Sequence, residues 1–156
     1  MGAYAVGFSK IMVCVDGSES SMKAAQIAID VAARHEASLV VVNVIVSQVG
    51  YAYSSGMFGV STPSAINELL EKSKQEAKKW FDQIGDKAKA AGVNVKQEIV
   101  ASPTSEVPAL VDYAEKNGID LIVTGTRGRS GFAKLLLGSV ASGVVSHARC
   151  PVMIVK

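Results

Sequence analysis

The sequence predicts an α/β fold, one parallel sheet covered by helices on both faces, and three observations predict it. Short runs rich in β-branched residues alternate with longer amphipathic segments along the chain. The two clearest runs, KIMVCV at Lys10–Val15 and LVVVNVIV at Leu39–Val46, are apolar on both faces, as in a sheet with helices on each side. Glycines then separate the apolar run Leu121–Val123 from a helical stripe, where a strand hands over to a helix start.

Lys10–Val15 reads as the first strand and ends at Asp16-Gly17-Ser18. Ser20–Arg34 follows as a helix, with Ala25, Ala28, Ile29 and Ala32 at helical spacing. Leu39–Val46 is the second strand. From Ser47 to Thr62 the pattern dissolves into Gly, Ser and Tyr, a loop of the length that is usually functional or mobile. Pro63 suits the first turn of a long helix, where its missing N–H costs nothing. Ile66, Leu69, Leu70, Ser73, Ala77, Trp80, Phe81, Ile84, Ala88 and Ala91 are expected along one face of it, with Gly92 as the stop. Val93–Ala101 alternates and reads as a strand with one wetter face. Ser105–Asn117 is a helix by Val107, Leu110, Val111 and Ala114, closed by Gly118. Asp120–Thr124 is the fourth strand. Val140, Val144, Val145 and Ala148 mark a last helix, and Val152–Val155 a last strand. This βαβαβαβαβ order with right-handed crossovers makes a single domain over residues 1–156.

At 156 residues such a domain buries about 70% of its unfolded surface. A net charge of +2 is too small to point to nucleic acid or an anionic membrane as partner. No apolar run reaches the roughly 18 residues of a membrane span. The first nine residues lack the basic start and apolar stretch of a signal peptide, so a cytoplasmic protein is expected. Cys14 lies in one apolar run and Cys150 beside another, where free cysteine packs as a small hydrophobe. Two isolated thiols with the distant His35 and His147 do not make a structural zinc site.

The chemistry sits in Gly125-Thr126-Arg127-Gly128, followed after nine residues by Gly138-Ser139. Backbone without side chains approaches a ligand closely, and a helix start favours negative charge, so the pattern suits a phosphate chain. Without a ligand the same glycines read as a tight turn, and Ser139 as an ordinary helix N-cap. Arg127, Arg129 and Lys134 add three positive charges with no acid between them, to neutralise a triphosphate or to face solvent. Phe132, Leu135, Leu136 and Leu137 are too apolar for a free loop. Asp16 reads either as a nucleotide or divalent-ion contact or as an Asx-turn acceptor for Gly17–Ser20. Tyr51, Tyr53 and Phe58 read first as plain loop aromatics, with folding over a base as the alternative.

The order of elements, the opening KIMVCVDGSESS, the IDLIVTGTRG strand and the closing PVMIVK resemble the universal stress protein family over essentially the whole chain. Within it, Gly125-x2-Gly128-x9-Gly138-Ser139 is similar to the pattern of the ATP-binding branch; members of the other branch lack these glycines and do not bind ATP. The resemblance implies a Rossmann-like, three-layer open parallel sheet of five strands in the order 3-2-1-4-5, the adenine nucleotide alpha hydrolase-like class. That order reverses between strands 1 and 4, where ligands of open α/β sheets bind, and Asp16 and Gly125 end those strands. The expected ligand is ATP or AMP, with Mg2+ or Mn2+ bound through the phosphates and Asp16. Its expected contacts are Val15, Asp16, Val44, Gly125, Thr126, Arg127, Gly128, Arg129, Gly138, Ser139 and Val140. The Val44 position is implied to hydrogen-bond adenine through its backbone, with Val15 lining the same pocket; core packing accounts equally well for both side chains. Asn43 stands where many members carry His, and Ala141 where a hydroxyl is frequent, a loss of one phosphate contact. The same order separates the strands of Cys14 and Cys150 by roughly 9–10 Å, a poor placement for a disulfide.

A phosphate cradle is not a catalyst. With no Walker A sequence, paired carboxylates or histidine beside the glycines, no catalytic residue is assigned. The first reading is a nucleotide-binding regulatory protein. The alternatives are a slow or partner-stimulated ATPase and a dimerising interaction module with structural glycines. Val152-Met153-Ile154-Val155 is expected at a sheet edge, apolar and without Pro or charge, which invites pairing. By resemblance two copies join there as a homodimer; any other protein partner is unknown from sequence.

Overall fold

Doubly apolar runs become central strands, and the half-wet run after Val93 becomes an edge. The computed structural model describes residues 7–47, 63–127 and 137–156. Within them strand and helix alternate as β1 (Lys10–Cys14), α1 (Glu19–His35), β2 (Ser38–Val46), α2 (Pro63–Ala90), β3 (Val95–Ser102), α3 (Glu106–Lys116), β4 (Leu121–Gly125), α4 (Ser139–His147) and β5 (Val152–Val155). Every pairing is parallel and the order is β3-β2-β1-β4-β5, the expected one. β1 sits at the centre, with Met12 opposite Val40 on one side and Ile122 on the other.

Alternation along the buried strands feeds two cores. Ile11, Val13, Leu39, Val41, Leu121 and Val123 pack with Ala25, Ala28 and Ile29 of α1 and Phe81 and Ile84 of α2. Met12, Cys14, Val40, Val42 and Ile122 pack with Leu110 and Ala114 of α3 and Val144 of α4. The sheet is therefore the middle of three layers.

Helix ends follow local chemistry. The Ser18 hydroxyl caps α1 by accepting the Ser21 amide at 3.2 Å. α1 stops at Glu36, which takes a left-handed φ of 53° with no glycine to announce it. β3 begins two residues later than its alternation suggests. Val93 is instead drawn back over the end of α2, its amide donating to the Ala88 carbonyl at 2.9 Å. The stripe expected on α2 is half realised. Ala77, Phe81, Ile84 and Ala88 are buried and Trp80 packs on the same core, but Leu69 is 64% exposed. A helix of 28 residues runs about 42 Å, longer than the strands beneath it, so its first half extends past the described core.

Cys14 and Cys150 are free. Burial, reinforced by the nearby Asp16 carboxylate, pushes the Cys14 thiol up to about 12, which leaves it an inert packing group. Among the described residues no helix is long and apolar enough to cross a membrane.

Candidate functional site

Because the strand order reverses between them, β1 and β4 lie side by side while their chains leave toward opposite layers, β1 into α1 and β4 toward α4. The gap is a cleft of about 370 Å³, within the range of small-molecule sites. Val15 and Asp16 come to it from the end of β1, Asn43 and Val44 from β2, Gly125, Thr126 and Arg127 from β4, and Gly138, Ser139 and Val140 from the start of α4. Nine of the eleven ligand contacts expected from the sequence thus line one cavity. Gly128 and Arg129 lie outside the described residues, as do Lys134, the aromatics of the long loop, Phe132, Leu135 and Leu136.

One residue frames the glycine side. The Thr126 N–H donates to the Val155 carbonyl at 2.9 Å, and the Thr126 carbonyl accepts the Gly138 N–H at 2.7 Å. This ties the end of β4 both to β5 and to the start of α4. Gly138 takes the extended N-cap conformation and offers no side-chain acceptor, and the first turn of α4 holds no acid. Helix geometry leaves the first amides there without intrahelical partners, so this wall of the cleft favours an anion.

Asp16 fulfils its turn role without exhausting itself. Its Oδ1 accepts the Ser18 amide at 2.9 Å and the Ser18 hydroxyl at 2.6 Å, while Oδ2 has no hydrogen-bond partner among the described residues. Gly17, between them, has a φ of 81° and lies under the Trp80 ring. The Asn43 amide, buried, donates to the Val15 carbonyl at 2.7 Å and so pins the end of β1 to β2. The departure from histidine therefore has a clear local use.

Gly125 has a steric reason within the protein beside the one the sequence suggests. A Cβ built on it would lie 2.8 Å from the Ser20 carbonyl carbon and 2.9 Å from its oxygen. Its bareness lets the start of α1 close onto β4, and its φ is not in the left-handed region. The close approach it permits is within the protein.

Glu106, in the first turn of α3, is a cleft residue that sequence reasoning missed. Burial, and then the Asp16 carboxylate, pushes its carboxyl above the usual range. A signal existed: in a parallel α/β sheet the helix following each strand begins at the strands' carboxyl ends. An acid just after Ser105 therefore falls at the same end of the sheet as Asp16. Among the described residues no three His, Cys, Asp or Glu side chains gather as a metal site.

Comparison with known proteins agrees with this geometry. A profile described as the universal stress protein family matches residues 7–156. A universal stress protein of Methanocaldococcus jannaschii is 36% identical over 150 residues, covering 96% of this chain and 82% of that one. One from Bacillus subtilis is 32% identical over 151 residues, covering 96% and 99%. Among solved structures, universal stress protein UspA from Lactobacillus plantarum superposes with a TM-score of 0.81 at 28% identity, covering 96% and 99%. A universal stress protein solved in complex with cAMP gives 0.67 at 27% identity, covering 96% and 98%.

Proposed function

The chain belongs to the universal stress protein family, and from that premise we propose that it is a nucleotide-dependent regulatory protein of the ATP-binding branch. An adenine nucleotide, ATP or AMP, occupies the cleft. The observation that carries this reading is the meeting of two unlike sets of residues in the lining of one cavity. The start of α4 with Arg127 suits phosphate, and the apolar Val15 and Val44 suit a base. The relative determined with cAMP supports an adenosine phosphate as the ligand class. Mg2+ or Mn2+ would ride on the phosphates with the open Asp16 Oδ2 as the protein's contribution. The described cleft residues include no histidine, and Asp16 is held in a turn, so binding is favoured over hydrolysis. The protein acts in the cytoplasm as a single domain spanning the chain.

Calorimetry with ATP and AMP, with and without Mg2+, tests the binding. Gly128→Val is expected to weaken ATP at least tenfold, ~1.4 kcal/mol, with thermal unfolding of the free protein unchanged. Equal affinities would refute the cradle. Phosphate release no faster than that of the same variant would set aside a slow ATPase.

Self-association completes the proposal. β5 is the outer strand beside β4, its four residues half-buried. A second copy pairing its own Val152–Val155 there would give a homodimer and cover the edge. Sedimentation at micromolar concentration is expected to return a dimer; a monomer contradicts the pairing.

A further inference from the structure

The cleft holds two opposed electrostatic characters. The acid-free first turn of α4 and the exposed Arg127 attract negative charge. Asp16 and Glu106, which line the same cleft, repel it. Glu106 is half-buried, has neither ion-pair nor hydrogen-bond partner among the described residues, and feels the Asp16 carboxylate as a like charge. The Ser105 N-cap preceding it makes no side-chain hydrogen bond that would draw the carboxylate aside. An unpaired carboxylate in a confined cavity acts on every charge that enters, through a dielectric well below that of water.

Resting on the reading that the cleft takes an adenine nucleotide, we propose that Glu106 is a specificity-determining residue that grades ligands by their negative charge. Its carboxylate leaves adenosine untouched, weakens AMP, and weakens metal-free ATP most. The cleft then prefers adenosine phosphates of low charge, and accepts ATP best when a divalent cation has partly neutralised the triphosphate. Glu106 also sits at a helix start, where an acid is ordinarily a dipole partner. That role would move stability alone and would not sort ligands.

The test is calorimetry with adenosine, AMP and ATP at pH 8 in EDTA, on the wild-type protein, Glu106→Gln and Glu106→Asp. Glu106→Gln is expected to tighten AMP roughly threefold and ATP tenfold or more, as expected for a through-space charge effect that scales with ligand charge. Adenosine should not change, and the ATP gain should shrink in excess Mg2+. Glu106→Asp keeps the charge and should keep the wild-type ranking. A common factor across all three ligands overturns the proposal. So does weaker binding of each, which would mean that the carboxylate accepts a hydrogen bond from sugar or base. Wild-type protein that binds none of the three refutes the nucleotide reading and this inference with it. Binding with a flat Glu106→Gln series refutes the inference alone.

Discussion

A Gly125→Val variant is expected to lose about 3 kcal/mol or more of folding stability, the range of overpacked buried sites that cannot relax. The reason is the company Gly125 keeps. Its missing Cβ would fall 2.8 Å from the Ser20 carbonyl carbon, and that obstacle is backbone, with no rotamer to turn aside. Neither side can retreat. β4 is buried throughout and flanked by β1 and β5, and the Ser18 cap and Ser21 hydrogen bonds fix the start of α1. For a domain of this size the loss corresponds to a fall in Tm of about 6–12 °C. The same displacement would spread the cleft between Asp16 and Thr126, so nucleotide affinity should fall with stability. Denaturant titration decides the matter: a loss under ~1 kcal/mol would mean that α1 slides freely over the strand end, against the packing described.

Gly17→Val should be nearly as damaging, about 2–4 kcal/mol, for two reasons that can be measured apart. A φ of 81° is unfavourable for any L side chain and worst for a β-branched one. Separately, an added Cβ would overlap the Trp80 ring, with Cη2 2.8 Å away and two ring carbons closer still. Comparing Gly17→Ala with and without Trp80→Ala isolates the second contribution. If ring overlap dominates, Gly17→Ala costs clearly less once the indole is gone. Additive losses would place the whole effect in the backbone. Trp80 is the chain's one tryptophan, so a fluorescence change in Gly17→Ala reports the displaced ring directly.

How much of this was legible beforehand depends on how local each cause is. The central strands are legible because Lys10–Cys14 and Ser38–Val46 are buried on both faces and need no polar alternation. Pro63, Gly92 and Gly118 mark helix limits through their own backbone preferences. Glu36 closes α1 with no such preference, and the helix length of α2 says nothing of how far the sheet extends beneath it. At the site, Asp16, Val44, Gly125 and Gly138 come together at one cavity because strand ends converge there by topology. The direction in which Gly125 lacks a side chain is a tertiary fact, invisible until α1 is docked. Glu106 is hidden in the same way, since its meaning comes from Asp16, distant in sequence and adjacent only after the sheet reverses.

Thr126, its N–H bonded to the last residue of β5 and its carbonyl to Gly138, joins the molecule's margin to its mouth through two peptide planes that meet at one Cα. The outer strand and the groups that would meet an anion are thus a single residue apart.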